Sequence, residues 1–173
     1  MGGTTTSTQL SYAETPRVVF DCNVYVQAIA NENSPAARAL DLLDDGAITL
    51  YVSEAVLHEL RDVLSRPALR HILPGITERR VRALFQRLER HAVYIHNVPK
   101  EFRYERDPKD ERYVNLALVA NARYLVSHDQ DLLDLVNPSL PTSASFRNRY
   151  PMLKIMTVTN FVKEMDALTT PEN

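Results

Sequence analysis

Four acidic residues have the types and positions needed to hold a hard cation. Asp21 and Asp129 directly follow short apolar runs, whereas Glu59 and Asp110 lie on predicted helices. Carboxylates gathered within a few ångströms repel one another unless a cation enters or some of them take up protons. An all-oxygen set without His or Cys favours Mg²⁺ or Mn²⁺. Cations held in this way activate a water for phosphodiester cleavage. The four acids are therefore the predicted metal ligands and catalytic residues.

Neighbouring polar residues could support these acids. Asn23 follows Asp21 by two positions and could orient a ligand or a water through its amide. Ser127 could hydrogen-bond a carboxylate of the site. Asp107 suits an N-cap, Pro108 the first helical position and Asp110 the third, so Asp107 is expected only to start that helix.

Structural alternatives exist for the candidate ligands. Asp21 could be a turn residue at the end of a strand, and Glu59 could be a solvated helix residue paired with Arg61 or Arg66. Asp110 could serve only in helix capping. The presence of all four acids in this context favours the metal site over these readings.

Residues 61–90 are rich in arginine and poor in acids. Arg61, Arg66, Arg79 and Arg80 are the candidate contacts to RNA phosphates, which would make binding sensitive to salt. The alternative is a pair of solvated helices whose arginines balance acids elsewhere or bind a partner.

The elements that must position the acids alternate between strands and helices. Ser34, Ser53 and Thr77 are predicted N-caps, and Thr159 is predicted to cap the last helix. Residues 137–151 carry three prolines and three serines and are predicted to form a surface loop. The predicted strands are Arg17–Phe20, Ile48–Val52, Ala92–Ile95, Tyr124–Ser127 and Lys154–Val158.

The predicted strands are too uniformly apolar to have one wet face. They indicate an α/β fold with a central, mainly parallel sheet of about five strands, covered by helices on both sides. Sheets of this kind place their sites outside the carboxyl ends of the strands, where Asp21 and Asp129 are expected.

Composition limits the class of protein. Residues 1–15 are expected to form a flexible arm, 16–168 a single domain and 169–173 a flexible tail. The net charge of −2 argues against coating nucleic acid by bulk charge. Cys22 is the only cysteine, which excludes an internal disulfide, and no apolar stretch is long enough to span a membrane. A soluble, cytoplasmic protein is expected.

Several segments carry a resemblance to a known family: Val18–Val24, Ser53 followed by His58–Leu60, Arg106–Asp110, Tyr124–Leu132 and Ile155–Val162. In these segments the chain resembles the PIN-domain ribonucleases, and among them the toxin components of toxin-antitoxin pairs. The resemblance covers roughly residues 17 to 165 and implies a three-layer α/β/α fold. It also implies cleavage of single-stranded RNA with Mg²⁺ or Mn²⁺, products with a 5′-phosphate, frequent dimerisation and inhibition by an antitoxin.

The resemblance assigns roles to individual acids. Asp21 corresponds to the first metal ligand, Glu59 to the second, Asp110 to the third and Asp129 to the fourth acid, for which Asp131 competes. The alternatives are a non-catalytic PIN-like module that binds RNA or protein, and a nuclease of RNA maturation. A phosphatase of the haloacid-dehalogenase type is disfavoured because Asn23 replaces the acid expected two residues after Asp21.

Overall fold

The computed structural model describes residues 14–170 as a five-stranded parallel sheet flanked by helices. Residues 1–13 and 171–173, which belong to the predicted arm and tail, lie outside the described residues. Two 3₁₀ turns cover Pro108–Asp110 and Pro141–Ser143. In chain order the strands and helices are β1 Arg17–Phe20, α1 Cys22–Ala30, α2 Pro35–Asp44, β2 Thr49–Ser53, α3 Glu54–Ser65, α4 Pro67–Ile72, α5 Glu78–His91, β3 Val93–Ile95, α6 Glu111–Val119, β4 Tyr124–Val126, α7 Gln130–Asp134, α8 Ala144–Arg149, β5 Lys154–Met156 and α9 Val158–Thr169.

Local capping chemistry sets where several helices begin. The side-chain oxygens of Ser34, Ser53 and Thr77 each accept a hydrogen bond from the backbone N–H three residues later, as their sequence positions predict. Pro67 separates α3 from α4. A proline has no backbone N–H to donate within a helix, so α3 ends before it, whereas its fixed φ suits the first position of α4.

The strand order β3-β2-β1-β4-β5 explains where a site can form. The chain runs outward from β1 through β2 to β3 and then returns to β4 on the other side of β1. The carboxyl ends of β1 and β4 therefore flank the point where the strand order reverses. Open parallel sheets bind ligands in the crevice outside that point.

Helices cover both faces of the sheet. Helix α6 packs across β1, β2 and β4, whereas α1, α2, α5 and α9 pack together. Right-handed crossovers place the helices that follow β1 and β2 on one face and α6, which follows β3, on the other. The side chains of β4 and of Val18–Phe20 are fully buried, as expected for strands covered on both faces. The predicted three-layer α/β/α fold is thus confirmed.

The prediction of a structureless surface loop over residues 137–151 was wrong. This segment contains the 3₁₀ turn Pro141–Ser143 and helix α8. Phe146 of α8 is only 6% exposed, and its ring lies 5.3 Å from that of Phe102 and 5.0 Å from that of Tyr150. The helix is stabilised by contact with a distant aromatic residue, which local periodicity cannot reveal.

Three smaller observations concern helix ends. The turn at Asp107–Asp110 is 3₁₀ rather than the first turn of an α-helix, and α6 begins after it. Helix α6 ends at Val119, two residues before Asn121, which has a left-handed φ of 53°. Thr157, not Thr159, caps α9.

The turn between α4 and α5 packs tightly against the end of α1. A Cβ atom added at Gly75 would overlap the carbonyl oxygen of Ala30. The Arg80 guanidinium donates hydrogen bonds to the carbonyls of Gly75 and Ile29, at 3.0 and 3.2 Å, and pairs with Glu32. Arg80 therefore holds this turn in place.

Among residues 14–170, no helix has the length and apolar character required to cross a bilayer.

Candidate metal centre

Asp21 lies at the carboxyl end of the central strand β1. Its backbone N–H donates to the carbonyl of Val126 at 2.9 Å, which fixes it beside β4. Its carboxylate is 5% exposed and accepts a 2.6 Å hydrogen bond from the Ser127 hydroxyl. Burial raises the pKa of Asp21, and the nearby carboxylates of Glu59 and Asp129 raise it further, against the opposing effect of Ser127.

Ser127 connects two of the predicted ligands. Its hydroxyl oxygen donates to Asp21 and also accepts a 2.9 Å hydrogen bond from the backbone N–H of Asp129. The Asp129 side chain in turn caps α7 by accepting from the N–H of Asp131 at 2.8 Å. The structure thus places Ser127 in contact with a carboxylate of the site, as the sequence predicts, and holds Asp21 and Asp129 at one edge.

Asp110 has a buried carboxylate with an unused oxygen. The residue is 4% exposed, and its Oδ2 has no hydrogen-bond partner among residues 14–170. Burial, followed by the charges of Asp129 and Asp107, raises the pKa of Asp110 to about 8. Such an oxygen is costly to bury unless something outside the chain satisfies it.

Asp110 is one of four aspartates that meet at this edge. Asp107, Asp110, Asp129 and Asp131 each offer a carboxylate oxygen, and these oxygens all lie within 4.8 Å of one another. We call this set the aspartate cluster. It contains two of the four predicted ligands, Asp110 and Asp129, together with Asp131, the competitor for the fourth position.

Asp107 joins the cluster although the sequence assigns it only a capping role. It does cap the turn, since its carboxylate accepts from the backbone N–H of Lys109 at 3.0 Å. However, residues i and i+3 eclipse one another in a 3₁₀ turn, so Asp107 lies on the same side as Asp110. The three-residue spacing of these aspartates was the available signal.

The Asp131 carboxylate forms an ion pair with an arginine side chain. The Arg106 guanidinium lies 2.6 Å from the Asp131 carboxylate and 2.9 Å from that of Asp134. The Tyr104 hydroxyl donates to the backbone carbonyl of Asp131 at 2.9 Å. Sequence reasoning assigned no role to Arg106, which neutralises one edge of the aspartate cluster.

Glu59 lies beside Asp21 and outside the aspartate cluster. Its carboxylate accepts a hydrogen bond from the Tyr113 hydroxyl and is 3.7 Å from the Arg112 guanidinium. The Tyr113 oxygen also accepts from the backbone N–H of Cys22 at 3.3 Å. Tyr113, which the sequence did not single out, thereby joins α3, α6 and the start of α1. The structure brings Glu59 near Asp21, but through a separate set of contacts from Asp110 and Asp129.

The arginines proposed as alternative partners of Glu59 pair elsewhere. Arg61 lies 3.9 Å from Glu54 and stacks on Phe85, and Arg66 lies 2.7 Å from Asp62.

Three of the four arginines predicted to contact RNA make ion pairs within the protein: Arg61, Arg66 and Arg80. Arg79 is exposed and has no ion pair with any residue in the range 14–170. Their role in RNA binding stays a prediction, and the internal pairs reduce the charge that this region presents to a strand.

The two residues that follow Asp21 differ in their surroundings. Asn23 is exposed in the first turn of α1, and its side chain makes no hydrogen bond with a described residue. Cys22 is buried, and burial raises the pKa of its thiol to about 12, so it stays protonated at neutral pH. A thiolate nucleophile is therefore excluded at this position.

The donors of this edge fit a hard divalent cation. They are all carboxylate oxygens, and two of the residues that carry them, Asp21 and Asp110, are buried beside other carboxylates. The Oδ2 of Asp110, which has no hydrogen-bond partner in the described part of the chain, lies among them. Oxygen donors of this kind suit Mg²⁺ or Mn²⁺ and are unsuited to soft metals.

Comparison with known proteins establishes the family. A family model described as PIN domain matches residues 17–131, a segment that includes Asp21, Glu59 and the aspartate cluster. The chain belongs to the PIN domain family. Proteins with a PIN domain are generally nucleases, and the acidic edge is compatible with that activity. This PIN domain chain is also 30% identical over 119 residues to an uncharacterized protein of Methanocaldococcus jannaschii, covering 69% of this chain and 74% of that protein.

Proposed function

We propose that this PIN domain protein is an endoribonuclease that cleaves single-stranded RNA with Mg²⁺ or Mn²⁺. The observation that carries the proposal is a buried oxygen of Asp110 that no group within residues 14–170 hydrogen-bonds, and that lies among three further aspartates at the sheet's carboxyl edge. Asp110 and Asp129 would hold the cation, and the carboxylates of Asp21 and Glu59 would lie beside it.

The residues around these acids have distinct tasks in the proposed reaction. When bound, the cation lowers the pKa of a water and stabilises charge on the leaving oxygen of the phosphodiester. Ser127 orients the Asp21 carboxylate, and Tyr113 orients that of Glu59. Hydrogen bonds of this kind fix the direction and basicity of metal-binding carboxylates.

We further propose that the chain is the toxin of a toxin-antitoxin pair that acts in the cytoplasm. The support is the resemblance of its motifs to toxin components, which implies a cognate antitoxin and a possible homodimer. Expression of the wild-type chain should arrest growth, and co-expression of a short neighbouring open reading frame should restore it. Growth unaffected by the active nuclease would instead favour a role in RNA maturation.

Cleavage of labelled single-stranded RNA tests the nuclease activity directly. Purified wild-type protein would be compared with Asp21→Asn and Asp110→Asn in Mg²⁺, Mn²⁺ or EDTA. Asp41→Asn is the matched control, because Asp41 is an exposed acid on α2 that pairs with Arg87. We expect cleavage that needs the metal, leaves a 5′-phosphate, persists in the control and disappears in both site variants.

Two results would contradict the proposal. Folded wild-type protein that cleaves no RNA with either metal would remove its basis. RNA binding without cleavage, unchanged by Asp21→Asn, would indicate a non-catalytic binding module in its place.

A further inference from the structure

A cavity of about 600 Å³ opens beside the acidic edge, between the start of α3 and the start of α6. We call it the α3–α6 pocket. Its lining includes His58, the neighbour of Glu59, and Arg112, whose guanidinium lies 3.7 Å from the Glu59 carboxylate. Pro108, two residues before Asp110, forms another part of the wall. The pocket therefore lies next to Glu59, which Arg112 contacts, and next to the turn that carries Asp110.

The pocket is lined by two cations, Lys100 and Arg112, and by two acids, Glu54 and Glu111. Lys100 is exposed and makes no ion pair with any described residue. The Arg112 Nε donates to the carbonyl of Lys109 at 3.0 Å, and the guanidinium lies 3.7 Å from the Glu59 carboxylate. Of the two cations, Lys100 is therefore the one that an entering anion can pair with without competing with an internal ion pair.

The two acids of the lining are already occupied. The Glu111 carboxylate accepts a 2.8 Å hydrogen bond from the backbone N–H of Tyr104. The Glu54 carboxylate accepts one of 2.7 Å from the Tyr94 hydroxyl and pairs with Arg61. These contacts fix both carboxylates in place, whereas Lys100 has no ion pair with any described residue and can accept an anionic ligand.

The wall of the pocket is held in place before any ligand binds. The Asn115 side chain is 4% exposed and bonds both backbone groups of Phe102, accepting from its N–H at 2.7 Å and donating to its carbonyl at 3.0 Å. This double contact fastens the segment that carries Val98 and Lys100 to α6. A preformed wall lowers the ordering cost of binding.

The remaining surface is apolar and suits a flat ring. Ala55, Val98 and Pro108 offer hydrocarbon next to the two cations. A volume of about 600 Å³ lies in the range of pockets that hold small organic ligands. One nucleotide combines the required anion and ring.

We propose that the α3–α6 pocket binds one nucleotide of the RNA strand next to the scissile phosphodiester. Its phosphate contacts Lys100 and Arg112, and its base packs against Ala55, Val98 and Pro108. This assignment rests on the proposed function, since the pocket is defined by its position beside the cleavage site. It adds a residue, Lys100, that governs binding of the strand rather than the chemical step.

The test measures binding without metal, so that it does not depend on cleavage. Adenosine 5′-monophosphate would be titrated into the ¹⁵N-labelled full chain in EDTA. The backbone amides of Ala55 and Val98 should shift, and the dissociation constant should rise about tenfold in Lys100→Ala, equivalent to about 1.4 kcal/mol. Lys163→Ala is the matched control, because Lys163 is an exposed lysine on α9. It should bind like wild type.

Cleavage kinetics then connect the pocket with the substrate. For a short oligoribonucleotide, Lys100→Ala should raise KM about tenfold while kcat stays within about twofold. The loss of one phosphate contact should also reduce the slope of log affinity against log salt by about 1.

The outcomes separate the pocket from the nuclease proposal. Equal nucleotide affinities for Lys100→Ala and Lys163→Ala, or shifts confined to other residues, would overturn the pocket whether or not RNA is cleaved. Binding of polyglutamate as tight as that of the nucleotide would overturn it in favour of a protein-binding surface. Nucleotide shifts at the pocket with no cleavage under any metal would support the binding site and refute the nuclease.

Discussion

Asp110→Asn changes the pH dependence of stability in a direction that the structure determines. Burial and neighbouring carboxylates raise the pKa of Asp110 from an ordinary value of 3.8 to about 8. Folding therefore favours the protonated acid. The stability that this preference contributes is fully present below the ordinary pKa and is lost as the pH rises through about 8. Asparagine cannot ionise and should remove this loss.

The magnitude follows from the raised pKa. One pKa unit corresponds to about 1.4 kcal/mol, so an isolated group would cost wild type about that much for each pH unit between the two values. The neighbouring charges spread the titration of Asp110 over a wider pH range, so the loss for each pH unit is smaller than this limit. From pH 5 to pH 7 the free energy of unfolding of metal-free wild type should therefore fall by about 2 kcal/mol relative to Asp110→Asn.

Urea unfolding in EDTA at several pH values measures this difference. The asparagine amide changes the free energy of unfolding by the same amount at every pH. The quantity to compare is therefore the slope of the free energy of unfolding against pH. Asp41→Asn should follow wild type at every pH. Mn²⁺ at 100 times its dissociation constant should stabilise wild type by about 2.7 kcal/mol, and Asp110→Asn far less.

Two results would refute this reasoning. Parallel pH curves for wild type and Asp110→Asn would mean that Asp110 ionises in the fold without penalty. Equal stabilisation of both proteins by Mn²⁺ would mean that Asp110 does not bind the cation.

Two other variants test how the surrounding structure supports the site. Tyr113→Phe removes the hydroxyl that orients Glu59 and should weaken Mn²⁺ binding about tenfold in a calorimetric titration. Tyr25→Phe, which removes a buried hydroxyl without a partner among the described residues, should leave metal affinity unchanged, and equal effects of the two variants would contradict the assigned role. Gly75→Ala should lower the free energy of unfolding by about 2 kcal/mol or more, because the new methyl overlaps backbone. Gly46→Ala should lower the free energy of unfolding by only about 1 kcal/mol, because an alanine is strained at the left-handed φ of 70° but meets no neighbouring atom. A lower urea midpoint for Gly46→Ala than for Gly75→Ala would show the packing argument to be wrong.

Local chemistry explains why much of the fold could be predicted from the sequence. Ser34, Ser53 and Thr77 cap helices because each hydroxyl reaches an N–H three residues away, which requires no distant partner. The buried strands are recognisable because a sheet covered on both faces needs apolar side chains in unbroken runs. Asp21 and Asp129 follow two such strands, so their common edge could be expected as soon as the sheet was taken to be parallel.

The tertiary structure alone decided which groups touch one another. Whether Arg106 pairs with Asp131, or Tyr113 with Glu59, depends on segments far apart in the chain, and no local pattern marks such partners. Helix α8 likewise depends on the contact of Phe146 with a ring more than forty positions away.

The sequence by itself thus determined the alternation of strands and helices and the presence of acids at the carboxyl edge, because these follow from periodicity, capping and strand direction. Only the folded structure brought Asp107 into the aspartate cluster and buried an oxygen of Asp110 without a partner among the residues it describes. The physical reason is that burial and the distances between carboxylates are properties of packed elements. No single segment of the sequence fixes such distances, because they depend on how several elements pack together.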